Sequence, residues 1–578
     1  MVNVDSISCT VGFLSDSFRA RSHVRVEYLL LMRKLALVLA VLGCGDRARI
    51  DAHAETGGTL VIASAADPGT LFPPLAIRNE ARQISEQIYD YLADVGPDMN
   101  TRDEKTFRPA LADKWHWSND SLLLAFHINP AAKWHDGRDV TARDIEFTFD
   151  LNRNPALGSR VESDIANIDS VTVTDSLTAV FWFHKRSPSQ FLDAAAQMPI
   201  LPAHQLEKLR LQALRENPPP PIGSGRFRLR KWDKGASVEI VADTSNYRGR
   251  AKLDRVIWSV SPASQTARAR LLSGEVDVLD AVRPDDVPDI GQKRTLRVVA
   301  LPGMDYAFLR FNLRDPTDTH RQHPILGVRE VRRAIAMSLD RVAMVRNVLD
   351  TFALVPVGPT TRSFPSTDPR GVQLPFDSAR AARLLDSLGW SRRASDGMRV
   401  RNGKELAFTV LIPTTSMNRL KMGTLIQEQL RRAGIRVAIE PLDLSTEVDR
   451  MTRGAFDAAL DAWVMPSSTD AIRASWTTVG IGKGGTNYSS YSNPAFDALL
   501  DSAFWAPDSM ERAAYTKAYA VINEDAPAVW LYEPRKLIGL HKRIRTTRMR
   551  PDAWWFDLAD WYVPVGDRIS RDRLPFPR

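Results

Sequence analysis

Four consecutive prolines, Pro218 to Pro221, place the firmest single constraint on how this chain can fold. Four successive residues without a backbone N–H, each with φ held near about −65°, cannot lie inside a helix or a central strand. The chain must therefore break there into separately packed parts. On both sides of the break, short β-type patterns alternate with longer helical ones. Leu60 to Ala63, after Gly57-Gly58, reads as a short apolar strand. Leu122, Leu124, Phe126 and Ile128 recur at period two and predict a half-buried strand. Val171 to Thr174 and Ala179 to Phe183, split by Asp175-Ser176, predict a hairpin. Thr141 and Asp144 have the spacing of a capping box, in which each end of the first turn satisfies the other's orphan donor. Val328, Val331, Ile335 and Leu339 share one helical face and set Arg329, Arg332 and Arg333 on the other, and residues 379–388 and 418–433 repeat that amphipathic pattern. With 578 residues, and domains of roughly 100–200 residues each, the expectation is a mixed α/β chain with more than one core.

Cysteine placement narrows the chemistry. The two thiols are Cys9 and Cys44, so the main body has none. A disulfide scaffold, a cysteine–zinc site, an iron–sulfur cluster and a cysteine nucleophile are all excluded from it. Net charge is +8, from 77 basic and 69 acidic residues; spread over this length, it is not the clustered footprint that nucleic acid requires. Ahead of the body, Arg33-Lys34 followed by the apolar run Leu35 to Gly43 matches a secretory signal and is too short to span a bilayer. Met32 stands directly before it, so translation could start at Met1 or Met32. Two exits compete: cleavage after Ala54, at Ala52-His53-Ala54, or lipidation of Cys44 in Val41-Leu42-Gly43-Cys44. Residues 1–54 are read as this address, and the mature protein is expected in the periplasm.

Catalytic motifs are not found. Gly480 to Gly485 matches G-x-G-x-x-G, but Thr486-Asn487-Tyr488 follows where a dinucleotide site needs a helix start, so a flexible loop is expected. His116, His127 and His135 have no metal-ligand spacing, and no metal or cofactor is expected. Asp277 and Asp280 read as a solvated loop pair rather than an acid–base dyad.

Several segments, in order, carry a family resemblance. Residues 109–150, with Pro109-Ala110-Leu111-Ala112-Asp113-Lys114-Trp115, Lys133-Trp134-His135-Asp136-Gly137 and Thr141-Ala142-Arg143-Asp144-Ile145, resemble the signature of the extracytoplasmic solute-binding proteins of peptide-type ABC importers, bacterial family 5. Asp67-Pro68, Ile222-Gly223-Ser224-Gly225, Leu272-Ser273-Gly274-Glu275-Val276-Asp277, Phe311-Asn312, Leu339-Asp340-Arg341, Tyr491-Ser492-Asn493-Pro494 and Asp525-Ala526-Pro527 resemble its other blocks, so that about 57–540 is covered. The resemblance implies an α/β, two-lobed clamp of the periplasmic-binding-protein type II. Residues 55–92, 219–302 and 525–578 would form a discontinuous first lobe, 93–218 an inserted subdomain and 303–524 the second lobe. A solute would bind between lobes that close by hinge motion, and the protein, expected to be a monomer, would dock on ABC permease subunits without doing chemistry. His135, Gly137, Gly223 and Gly225 read as scaffold rather than ligand contacts.

In peptide-binding relatives a Trp followed three residues later by Asp holds the peptide's α-ammonium. Here Trp463 is followed at that spacing by Pro466. Asp461 or Asp470 would have to substitute; otherwise the solute lacks a free α-ammonium, as in a blocked peptide, an opine, an oligosaccharide or a metal chelate, and free dipeptides would be poor ligands. Trp463 is the leading contact candidate, through stacking, followed by Tyr532, Tyr488 and Asn487. A ligand-sensing regulator and a secreted hydrolase are the readings from other classes.

Overall fold

The computed structural model describes residues 56–465, 470–482 and 484–576. The signal-like run, Cys44 and the Ala54 site lie outside these residues, as does Pro466. Gly57 to Arg578 forms one compact unit.

Two sheets organise it. The first has seven strands in the order Leu296–Leu301, Lys536–His541, Val278–Leu279, Thr59–Ser64, Arg255–Val260, Ser237–Ala242 and Phe227–Asp233. Thr59–Ser64 lies parallel to both neighbours and is buried along its whole length, which is why it reads as an unbroken apolar run. The second sheet has six strands in the order Ala353–Leu354, Ala528–Pro534, Asp305–Phe311, Ala458–Val464, Ala407–Pro413 and Arg436–Leu442. Helix Met417–Ala433 and helix Arg329–Met337 pack on one face of this sheet, around Leu309, Val410 and Leu460. A separate aromatic cluster around Phe308, Trp476 and Trp530 covers the other face. The fold is thus a two-lobed α/β clamp.

A four-stranded antiparallel sheet makes a further core. Its hairpin Ile168–Asp175 and Thr178–Phe183 forms where the period-two runs placed it. Helix Ala142–Arg153 starts at the predicted cap, with Thr141 N–H donating to Asp144 Oδ2 at 2.8 Å. The proline run lies outside helix and strand, and the chain after it is pressed on the end of helix Asn79–Ile88. A Cβ on Gly223 would fall 1.8 Å from the Ile88 carbonyl oxygen, and one on Gly225 2.5 Å from that of Gln87. His135 clasps the same crossing: Nδ1 accepts from Gly223 N–H at 3.1 Å and Nε2 reaches Gly225 O at 2.9 Å. The signature turn and the glycine crossing hold each other, which makes both structural.

The two sheets are joined through Pro302-Gly303-Met304 and through Arg535. Ala528–Pro534 hydrogen-bonds to Asp305–Phe311, so the chain passes back to the first sheet at Arg535. Two charged side chains are buried. Arg332, on the helix face opposite the apolar stripe, is 4% exposed; its guanidinium donates to the carbonyls of Leu326, Gly327, Asp525 and Ala526. Asp277, expected in a solvated loop, is fully buried and accepts from Arg543, from Arg571 and from Val61 N–H, tying the C-terminal segment to the central strand.

Candidate solute-binding cleft

In an antiparallel pair, directly opposed residues project to the same face. Tyr306 opposes Trp463, Phe308 opposes Asp461 and Arg310 opposes Ala459, so these side chains share one face of the second sheet. Arg310 is fully buried. Its Nη2 and Nε donate to Asp461 Oδ2 at 3.0 and 3.3 Å, and Trp463 Nε1 donates to the same oxygen at 2.9 Å. Asp461 Oδ1 accepts its neighbour's Ala462 N–H at 2.7 Å. The guanidinium carbon lies 4.9 Å from the Trp476 ring, 5.1 Å from Phe308, 5.3 Å from Tyr488 and 5.8 Å from Trp463. A buried cation is tolerated when it is paired and surrounded by π faces, and this one has both.

Helix Leu444–Thr452 adds a second acid to this region. Glu447 is 1% exposed, and neither carboxylate oxygen has a hydrogen-bond partner among the described residues. Burial, aided by the negative charge of Asp461, pushes its pKa up to about 7 against the opposing pull of Arg419 and Arg310. It therefore exchanges a proton near neutrality.

The structure thus brings Asp461, Trp463 and Tyr488 together around Arg310. Tyr532 opposes Ala307 and projects from the other face, into the helix-packed core. Burial raises its hydroxyl pKa to about 12. Asn487 is 3% exposed and is spent within its loop: its amide nitrogen donates to Thr477 O and Tyr491 O and its oxygen accepts from Tyr491 N–H. That leaves Asn487 no donor for a solute. Asp470 opens helix Asp470–Trp476. Arg310 and Glu447 were missed from sequence. The available cue was a lone arginine inside the apolar strand Asp305–Phe311, where a charge without a local partner needs a distant one.

Contacts at the two crossings and from the segment 93–218 also reach the second sheet's side of the molecule. Near the crossings, Lys536 Nζ lies 5.8 Å from the Trp555 ring; burial lowers its pKa while Asp280 and Asp305 pull it up. Elsewhere Arg102 reaches across to the second lobe, donating to Phe504 O at 3.0 Å and Ala506 O at 2.8 Å and pairing with Glu511 at 2.8 Å.

The other sequence candidates are dispersed. His127 pairs with Asp113 at 2.8 Å and His135 is used at the glycine crossing. No group of three or more metal-ligating side chains occurs among the described residues. After the glycine loop the next helix begins only at Pro494. No helix among the described residues is long and apolar enough to cross a membrane.

The model of bacterial extracellular solute-binding proteins, family 5 (middle), matches residues 106–484. The chain belongs to this family. The family's role is solute binding in transport, not catalysis. The oligopeptide-binding protein AppA of Bacillus subtilis is 25% identical over 564 residues, covering 93% of this chain and 99% of AppA. The probable D,D-dipeptide-binding periplasmic protein DdpA of Escherichia coli is 25% identical over 492 residues, covering 84% and 90%. Among solved structures, AppA from Bacillus subtilis in complex with a nonapeptide superposes with a TM-score of 0.68 at 24% identity, covering 88% of this chain and 99% of that one. NikZ from Campylobacter jejuni in complex with Ni(L-His) gives 0.69 at 21% identity, covering 87% and 99%.

Proposed function

We propose that this protein is an exported receptor that captures a peptide between its two lobes and delivers it to an ABC import permease. The supporting observation is the two-lobed fold with an aromatic shelf, Trp463 and Tyr488, on the second sheet, together with relatives whose names specify oligopeptide and dipeptide binding. In this reading 55–92, 219–302 and 535–578 make the first lobe, 303–534 the second, and 93–218 the inserted subdomain. The mature chain acts in the periplasm, starting after Ala54 or lipidated at Cys44. Closure contributes affinity as far as the solute contacts the closed state better than the open one. Calorimetric titration with peptides of two to nine residues tests this. Micromolar or tighter binding of one length class supports it, and heat from sugars or metal chelates but from no peptide refutes it.

One observation favours a narrower reading. Asp461, one of the two substitutes for the acid expected after Trp463, is already neutralised by Arg310. The solute is therefore held by something other than an ion pair between its α-ammonium and Asp461, so N-acetylated and free-amine forms of one peptide should bind comparably.

A further inference from the structure

The edge strand Leu296–Leu301 of the first sheet, the turn after Lys536–His541 and the one-turn helix Val565–Asp567 enclose an open hollow of about 650 Å³. Its walls carry Arg294, Arg297, Lys542, Arg543 and Arg545 against one acid, Asp567. Arg543 is neutralised from behind, where it pairs with Asp277 and Asp572. Arg545 pairs with Asp567 at 2.7 Å and donates to Lys542 O. Among the described residues, Arg294, Arg297 and Lys542 have no carboxylate within ion-pair distance. His541 adds no charge, because burial, with Arg543 and Arg571 beside it, lowers its pKa against the pull of Asp277 and Asp567. The hollow therefore holds three uncompensated positive charges.

Arg297 is built into the wall. Antiparallel pairing sets it opposite Leu540, on the face that packs on the core, and its Nη2 donates to Thr546 Oγ1 at 3.1 Å. Its Nε is buried with no hydrogen-bond partner among the described residues. Burial and the Arg545 cation both lower its pKa, and no acid opposes them. Like charges gathered in this way repel unless an anion from outside offsets them. Guanidinium forks beside an ammonium suit the oxygens of a phosphate group.

Apolar side chains stand at the rim. Ile569 lines the hollow and is 40% exposed, and Val565, two residues before Asp567, is 56% exposed. A free anion would leave both in water, whereas an anionic bilayer surface takes the basic and the apolar groups together. Gly57, the first residue of the compact unit, lies beside this segment: a Cβ there would fall 2.9 Å from Arg568 Nη2.

We propose that this hollow binds the phosphate of an anionic phospholipid headgroup and lays the edge of the first lobe on the membrane surface. No residue of the second sheet takes part, so the site is independent of solute capture.

The test uses the mature protein starting at Glu55, which carries no acyl chain. It is cosedimented with vesicles of phosphatidylcholine alone or of equal parts phosphatidylcholine and phosphatidylglycerol. Binding is expected to the mixed vesicles only, weakening as salt rises. Arg294→Gln with Lys542→Gln, at two exposed positions, should weaken it by about 25-fold, roughly fivefold for each cation lost. Lys404→Gln with Lys421→Gln, at exposed positions of the second lobe, changes the net charge equally and should leave binding intact. Absence of binding to the mixed vesicles, or equal loss in the two double variants, overturns the proposal. Inorganic phosphate titrated by calorimetry separates the sources. Phosphate binding that Arg297→Gln removes, without vesicle binding, would assign the hollow to a free oxyanion and overturn the membrane role. Peptide titration and thermal melting of the first double variant should match the wild type, so a failure of the peptide reading leaves this test standing.

Discussion

Replacing Asp461 with asparagine should weaken the second lobe itself, beyond any effect on solute capture. The substitution keeps the volume of the side chain and removes its charge. It leaves Arg310, fully buried, with aromatic rings and one neutral acceptor in place of two charge-assisted bonds of 3.0 and 3.3 Å. Removing one partner of a buried ion pair costs about 3–5 kcal/mol. The asparagine oxygen can still accept one neutral hydrogen bond, worth about 1 kcal/mol, and the ring contacts are unchanged. The net loss is therefore about 2–4 kcal/mol, which for a lobe of this size lowers its thermal transition by roughly 4–16 °C. Urea denaturation of apo protein measures it without any solute. The double variant Arg310→Met with Asp461→Leu should recover most of the loss, because it removes the desolvated charges together. Unchanged stability of Asp461→Asn combined with lost solute affinity would refute the reasoning and make Asp461 a ligand carboxylate.

Three further outcomes follow from the geometry. Gly303→Ala would set a Cβ 1.8 Å from the Pro534 carbonyl oxygen where the two crossings pass; the forced separation should cost about 1–3 kcal/mol and change the small-angle scattering profile of the apo protein, and an unchanged profile and melting point would count against a hinge there. Glu447 has its folded-state pKa raised from the ordinary glutamate value to about 7, so the folded form holds the proton more tightly and stability falls as pH rises from about 4.5 to about 7. Glu447→Gln should remove up to about 3 kcal/mol of that decline, measured as the difference in urea stability between pH 5 and pH 8, whereas an identical decline in both proteins would contradict it. Arg102→Ala removes the contacts to Phe504 O, Ala506 O and Glu511; the closed population should drop, seen as an increased radius of gyration and roughly tenfold weaker solute binding, with no change if the contact is incidental.

Local signals made much of the fold legible. The hairpin, the Thr141 cap and the amphipathic helices depend on residues a few positions apart, and each formed where the spacing put it. The crossing at Arg535 was not legible in the same way. Ala528–Pro534 and Lys536–His541 are parted only by Arg535, within Glu533-Pro534-Arg535-Lys536, and nothing in so short a break says which sheet each half joins. The same distance problem hid the site. Trp463 stood out as an aromatic near an expected acid, but Arg310 and Asp461 lie far apart in sequence and meet only through strand pairing. Asp277 looked solvated because it follows a glycine turn, while its partners Arg543 and Arg571 come from the far end of the chain. Asn487 looked free beside a glycine loop, yet that loop needs its amide to close.

The most direct test of solute capture is mass spectrometry of the small molecules released when protein purified from its native host under non-denaturing conditions is unfolded. The account predicts peptides, recovered near one per protein molecule. A sugar, an opine or a metal chelate recovered at that stoichiometry would contradict it.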